Sequence, residues 1–99
     1  MLGQVLRCIK IAQEKKTKDV ANLMGCSCTY ITEVENGHKT PSYEMLKKFS
    51  KCFDVPVSKI VEWHELVEKN NLSYQEILLL CVQYEVEVKN TTHNSSIDN

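Results

Sequence analysis

The stretch at residues 17–37, TKDVANLMGCSCTYITEVENG, predicts two short helices separated by a tight turn. Val20, Ala21 and Met24 lie at spacings of one, three and four residues, so they share one face of the first helix. Gly25 follows directly, and glycine readily adopts the left-handed conformation that is common at the end of a helix. The first helix is therefore expected to end there.

The second half of this stretch predicts another helix that packs against the first. Ser27 can accept a hydrogen bond from the backbone at the helix start. Ile31 and Val34 are three residues apart and face the same way. Ala21 is small where two crossing helices would come closest. Two helices joined in this manner form a helix-turn-helix, whose second helix lies in the major groove of DNA.

The residues around this motif extend the pattern. Over residues 6–60 the chain resembles the Cro/cI-type (XRE family) helix-turn-helix domains of phage repressors and bacterial transcriptional regulators. The matching residues stand at fixed spacings: Leu6, Arg7, Ile9, Lys10, Val20, Ala21, Gly25, Cys26, Ser27, Tyr30, Ile31, Thr32, Val34, Glu35, Asn36, Gly37, Pro41, Ser42, Leu46, Phe53, Asp54, Val55 and Pro56. The resemblance implies an all-α fold, a five-helix lambda-repressor-like DNA-binding domain with a C-terminal helical extension. It also implies sequence-specific binding of double-stranded DNA, most often as a homodimeric repressor on a palindromic operator.

The formal net charge of −1 hides an uneven distribution along the 99 residues. Residues 1–60 contain ten Lys and Arg against six Asp and Glu, a surplus of four positive charges. Residues 61–99 contain two against seven, a surplus of five negative charges. Because a basic surface attracts phosphate and an acidic one repels it, the C-terminal half is expected to face away from DNA.

Length and composition narrow the class of protein. Ninety-nine residues correspond to one domain, or to one small domain with an appendage. No apolar run approaches the roughly 18 residues of a membrane span, and Arg7 and Lys10 interrupt the N-terminal apolar stretch too early for a signal peptide. The five cysteines are odd in number and scattered through helical patterns, which favours free thiols in a reducing cytoplasm.

Apolar periodicity and capping residues divide the chain into six helices. The first, second, third and sixth are expected to begin at Leu2, Thr17, Ser27 and Tyr74. Pro41 can open the fourth together with Ser42, and Ser58 can cap the fifth. The last start is set by Ser73 and Glu76, which have the spacing of a capping box. We expect a DNA-binding domain at residues 1–69, a C-terminal helix at 70–89 and a disordered polar tail at 90–99.

The exposed face of the third helix carries the candidates for contact with base edges. By position in the family these are Cys28, Thr29, Thr32 and Glu33. Threonine can hydrogen-bond a base edge or pack its methyl group on thymine, and glutamate can accept from the amino group of cytosine. None of the four is the Arg, Gln or Asn that forms strong bidentate pairs, so we expect weak or water-mediated readout. The alternative is that they are ordinary solvated residues.

Residues on both sides of the third helix are candidates for phosphate contacts. Thr17 stands where family members often have a glutamine that bonds phosphate, although it could equally be an N-cap. The free backbone N–H groups at the start of the fourth helix attract anions. The full set is Thr17, Ser27, Asn36, His38, Lys39, Ser42 and Tyr43. For His38, a plain surface histidine is the better explanation.

Lys10 and Glu35 match a family pair that usually joins an arginine of the first helix to this glutamate. The resemblance implies a structural role, in which the pair fixes the first helix against the third. Lysine lacks the planar fork of arginine, so the bidentate geometry would be lost.

The sixth helix is expected to be apolar on every side, because residues 77–82 are all apolar. A helix lying on a small domain needs one apolar stripe only, and two copies packing across a two-fold axis would bury the other. The expected dimer residues are Ile77, Leu78, Leu80, Cys81 and Tyr84. Two alternatives stay open: the segment folds back over Trp63 and Val67, or the alternation at residues 82–88 forms a strand.

Other kinds of site find little support in the sequence. Cys26 and Cys28 would need further zinc ligands from other segments, and the histidines show no matching spacing. There are no paired carboxylates, glycine-rich phosphate loop or nucleophile motif, so we expect no enzyme, no metal and no cofactor. Two rival functions use the same scaffold. One is an interaction protein that binds another regulator, and the other is an antitoxin that neutralises a toxin.

Overall fold

Six α-helices follow one another along the chain. The computed structural model describes residues 2–89, and the helices are α1 (Leu2–Ala12), α2 (Thr17–Met24), α3 (Cys28–Glu35), α4 (Tyr43–Phe53), α5 (Val57–Asn70) and α6 (Tyr74–Tyr84). A π-helical turn, Glu85–Lys89, continues α6. The all-α fold with a C-terminal helical extension is confirmed, and the strand alternative at residues 82–88 is wrong. The expected tail at residues 90–99 lies outside the described residues.

Local side-chain chemistry starts and ends most of these helices. Ser27 and Ser42 accept hydrogen bonds of 3.0 and 3.2 Å from backbone N–H groups three residues later. Ser27 is confirmed as a cap, and Ser42 caps α4, which begins at Tyr43 rather than at Pro41. Ser73 and Glu76 form the complete capping box that their spacing predicts. Gly25 ends α2 at φ 67°, in the left-handed region. The turn of the motif therefore lies where the sequence places it.

Two possible N-caps, Thr17 and Ser58, are not the caps in the structure. The N-cap of α2 is Lys16 rather than Thr17, and its side chain makes no capping hydrogen bond. The N-cap of α5 is Pro56, whose carbonyl accepts from the N–H groups of Lys59 and Ile60 at 3.0 and 3.1 Å. Proline fixes φ near the helical value, so the helix begins before Ser58, which lies inside it.

The core is built around α1, which packs against α3, α4, α5 and α6. Val5, Leu6, Cys8 and Ile9 of this helix are buried. Gly3 allows α1 to cross the end of α3 closely, because a Cβ at this position would overlap the carbonyl oxygen of Val34. The first helix thus sets the position of the third.

Helix α6 belongs to the same core instead of forming an appendage. The helix extends along α1. At its start, the carbonyl of Tyr74 lies 3.9 Å from the Cys8 thiol. Just beyond its end, the Glu85 carboxylate accepts from Gln13 at 3.0 Å. Gln13 also donates to the carbonyl of Phe53 at 2.6 Å and so ties α6 to the end of α4.

The expected dimer residues need correction, because part of the apolar surface of α6 packs inside this chain. Ile77 and Cys81 are fully buried, and Leu78, Leu80 and Tyr84 are half-buried against the core. The ring of Tyr84 meets Trp63 edge-on at 5.3 Å between centroids, so the alternative of packing over Trp63 is correct for this residue. The large apolar side chains that α6 leaves in solvent are Leu79 and Val82, and Val86 and Val88 of the π-helical turn are exposed as well.

Candidate nucleic-acid interface

Helix α3 presents one buried face and one open face. Ile31 and Val34 are fully buried against the rest of the domain. On the other side of the helix, Cys28, Thr29 and Thr32 are exposed and Glu33 is partly exposed. The structure therefore brings the four candidate base-reading residues together on one outward surface. Within residues 2–89, the hydroxyl groups of Thr29 and Thr32 form no hydrogen bond, so an external donor or acceptor can engage them.

The loop after α3 folds back onto the end of that helix. The N–H groups of His38 and Lys39 donate to the carbonyl of Glu33 at 2.8 and 3.2 Å. The ammonium group of Lys39 lies 3.5 Å from the Glu33 carboxylate and 5.8 Å from the centroid of the Tyr30 ring. Lys39, a candidate phosphate contact, is thus paired with Glu33, a candidate base-reading residue. A nucleic acid that engages either group would compete with this exposed pair.

The start of α4 supplies a second set of donors beside α3. Ser42 uses its oxygen as the cap of α4 but keeps its own proton for donation. Tyr43 is 66% exposed, and the ammonium group of Lys47 lies 5.2 Å from its ring centroid. The first N–H groups of a helix have no partner within it, so this end of α4 suits an anion. Asn36 and His38, in the loop before it, are also exposed.

Thr17 is positioned by a network that crosses three helices. The ammonium group of Lys10 donates to the Thr17 hydroxyl at 2.8 Å and lies 3.0 and 2.9 Å from the two carboxylate oxygens of Glu35. The predicted pair of Lys10 and Glu35 is confirmed. Because Thr17 accepts from Lys10, its own proton remains available to a phosphate oxygen. The network fixes the start of α2 relative to α3.

Two lysines at the start of α2 were not among the sequence candidates. Lys16 and Lys18 flank Thr17, are exposed, and form no ion pair with any described residue. The N-terminus of a helix carries partial positive charge, so two lysines there are electrostatically unfavourable until an anion is bound. The signal was present in the sequence as a basic run, Lys15, Lys16 and Lys18, around a helix start.

The two cysteines near the turn, Cys26 and Cys28, differ in exposure. Cys28 is exposed, whereas Cys26 is half-buried and burial raises the pKa of its thiol. Residues 2–89 contain no cluster of three His, Cys, Asp or Glu side chains that could hold an ion. No helix in the same range is long and apolar enough to cross a membrane.

Comparisons with known proteins agree with this geometry. A helix-turn-helix family model matches residues 8–60. The transcriptional regulator ClgR of Mycobacterium tuberculosis, from strains CDC 1551 / Oshkosh and ATCC 25618 / H37Rv, is 30% identical over 61 residues. The aligned region covers 62% of this chain and 54% of ClgR, so the chain spans about half the length of the curated relatives it matches. No solved structure matches significantly.

Proposed function

Because the chain belongs to the Cro/cI-type helix-turn-helix family of DNA-binding transcriptional regulators, we propose that it represses transcription as a homodimer on a palindromic operator. The observation that carries the proposal is the open face of α3. Cys28, Thr29 and Thr32 are exposed there while Ile31 and Val34 of the same helix are buried. A helix with this division can enter the major groove without loss of core packing.

Phosphate contacts on both sides would hold α3 in the groove. On one side are Thr17 and the two lysines of α2, and on the other are Lys39 and the start of α4. Such contacts fix the register of the protein on the duplex and carry no sequence information themselves. The threonines and Glu33 would then supply the base readout. Repression follows in this proposal from occupancy of promoter DNA, and no catalytic step is involved.

The homodimer is proposed to form through the outward face of α6. Leu79, Val82 and Val86 are spaced by three and four residues, so they lie on one side, and they are 56%, 40% and 55% exposed. Apolar side chains in such a stripe are stabilised by burial against a second copy. Two copies related by a two-fold axis would present two α3 helices to half-sites about 34 Å apart.

Selection of binding sites from random duplex DNA at moderate salt tests this function. We expect enrichment of an inverted repeat whose half-sites are separated by about one helical turn. In vitro transcription from a promoter that overlaps the selected site should then fall as the protein is added. If no sequence is enriched, the repressor proposal is wrong and the scaffold serves protein interaction. Co-purification of a small toxin would instead identify an antitoxin.

A further inference from the structure

Helices α2 and α4 carry an exposed surface that the proposed DNA contacts leave unused. Leu23, near the end of α2, is 67% exposed. It lines a surface groove of about 320 Å³ together with Met24, Lys48, Lys51 and Cys52. We call these five residues the Leu23 surface. Leu23 is the most exposed large hydrophobic side chain among the described residues. Burial of an apolar side chain against protein is favourable, whereas it has no polar group to bond a phosphate.

The two lysines of this surface have no acidic partner in their own chain. Neither Lys48 nor Lys51 forms an ion pair within residues 2–89. Asp19 and Glu44, the acids on the same two helices, make no ion pair there either. Lys51 lies eight residues beyond Tyr43, roughly 12 Å along α4 from its DNA-facing end. The surface would therefore stay accessible on a DNA-bound protein.

The outer side of α5 carries two acidic side chains and one basic side chain around a hollow. A hollow of about 290 Å³ is lined by Ser58, Glu62, Glu65, Leu66 and Lys69, which we call the α5 hollow. Leu66 is half-buried against the core and supplies an apolar floor. Glu65 forms no ion pair within the described residues. Glu62 pairs only at the surface, with Lys59 at 3.1 Å.

We infer that Leu23 of one copy inserts into the α5 hollow of a second copy, with Lys48 and Lys51 facing Glu62 and Glu65. The hollow has room for a leucine side chain. Its two carboxylates outnumber Lys69, the one cation that also lines it, so its net charge is opposite in sign to that of Lys48 and Lys51. Exposed ion pairs contribute little to stability, so Lys59 can release Glu62 at small cost. The ammonium group of Lys59 also lies 5.8 Å from the centroid of the Trp63 ring.

The two surfaces share no residue, so each copy can offer one to either neighbour. A contact of this heterologous kind joins copies head to tail. Its formation depends only on shape and charge, whereas a role in linking adjacent dimers along DNA rests on the proposed function. In that role the contact makes binding to neighbouring operator sites cooperative.

Charge reversal of the full-length protein tests the contact by sedimentation without DNA. The parent should form species larger than the dimer, and these should dissociate at high salt. Lys48→Glu with Lys51→Glu, and separately Glu62→Lys with Glu65→Lys, should each weaken this association roughly tenfold or more. In the mixture every contact between unlike variants joins opposite charges again, so mixing should restore association. Lys16→Glu with Lys18→Glu changes the net charge equally outside both surfaces and should leave it unchanged.

The inference is overturned if the parent never exceeds a dimer, if either reversal has no effect, or if the mixture stays dissociated. Larger species that appear only when non-specific duplex is added, and that need Lys48 and Lys51, would assign this surface to DNA instead. Apolar dimerisation through α6 is insensitive to salt, and the assay contains no operator. Failure of the proposed function would therefore be visible separately from failure of this contact.

Discussion

The ammonium nitrogen of Lys10 lies 2.9 Å from Oε2 of Glu35, and the two side chains are only 11% and 10% exposed. The pair joins α1 to α3, and the same nitrogen reaches the hydroxyl of Thr17 at the start of α2. One buried cation thus holds all three helices in the arrangement that the motif requires.

Replacement of Lys10 should destabilise the fold strongly. Lys10→Met leaves the Glu35 carboxylate nearly buried without its counter-charge, a change that costs about 3–5 kcal/mol in comparable pairs. Chemical denaturation would measure the loss. Glu62→Gln, which removes the exposed pair with Lys59, is the matched control and should cost less than about 1 kcal/mol. Equal stability of Lys10→Met and the parent would show that the pair has no structural role.

Lys39 should contribute to affinity for DNA without contributing to sequence preference. We expect Lys39→Ala to weaken binding to all duplexes by similar factors and to lower the salt slope by about one, because a phosphate contact releases counterions. Titrations at several salt concentrations measure the slope. Lys69→Ala on α5 is the control and should leave it unchanged. An unaltered slope for Lys39→Ala would exclude this lysine from the interface.

The two exposed threonines of α3 should determine sequence preference. Thr29→Ala and Thr32→Ala are expected to change the preferred base at particular operator positions, each worth roughly 1–3 kcal/mol. Repeated site selection with each variant gives the comparison, and both side chains are outside the core, so stability should be retained. If both variants select the same sequence as the parent, with the same discrimination between bases, another element reads the bases.

Local structure could be predicted from the sequence where one short segment determines it. Three such features appear as predicted: the helix end at Gly25, the N-cap at Ser27, and the capping box of Ser73 and Glu76. Each depends on residues at most four apart. Ser58 fails as a cap because Pro56 starts the helix two residues earlier. The pair of Lys10 and Glu35 spans 25 residues and could be predicted only through the family resemblance.

Contacts between distant segments were harder to predict. An apolar run shows that α6 has surface to bury, but periodicity does not say which side packs on its own chain. Ile77 and Cys81 face α1, and only the structure identifies Leu79, Val82 and Val86 as the outer stripe. The pairing of Glu33 with Lys39 likewise depends on how the loop folds back. The roles of the site residues toward DNA stay predictions.

Cysteine reactivity should distinguish the surface of α3 from the core. Burial raises the pKa of Cys8 to about 11 and of Cys81 to about 12, whereas Cys28 is exposed. At about pH 8, iodoacetamide should modify Cys28 first, and bound operator should protect it. Mass spectrometry of the alkylated peptides measures both effects. Rapid labelling of Cys8 or Cys81 in the folded protein would contradict the packing of α6 on α1.

The same two thiols make stability depend on alkaline pH. Their protonated forms are favoured in the folded state, so their contribution is complete below the unfolded pKa of about 9. It is lost as the pH rises through the folded values of about 11 and about 12, because the unfolded chain releases these protons first. Denaturation midpoints should therefore fall above about pH 9, and less so in a Cys8→Ala, Cys81→Ala variant.

The outer stripe of α6 gives the sharpest test of the homodimer. Removal of the whole segment after residue 71 would also remove Ile77 and Cys81 from the core, so truncation would mix folding with association. Leu79→Glu with Val86→Glu changes only solvent-facing side chains and places like charges across the proposed two-fold axis. We expect a monomer with unchanged helical content and thermal stability, and steeply weaker operator binding, since each half-site is then bound alone. Ile77→Ala is the converse control: it should lose about 2–5 kcal/mol of stability and stay dimeric while folded. Sedimentation and circular dichroism separate the two effects. A Leu79→Glu, Val86→Glu protein that remains dimeric would place the interface on another helix.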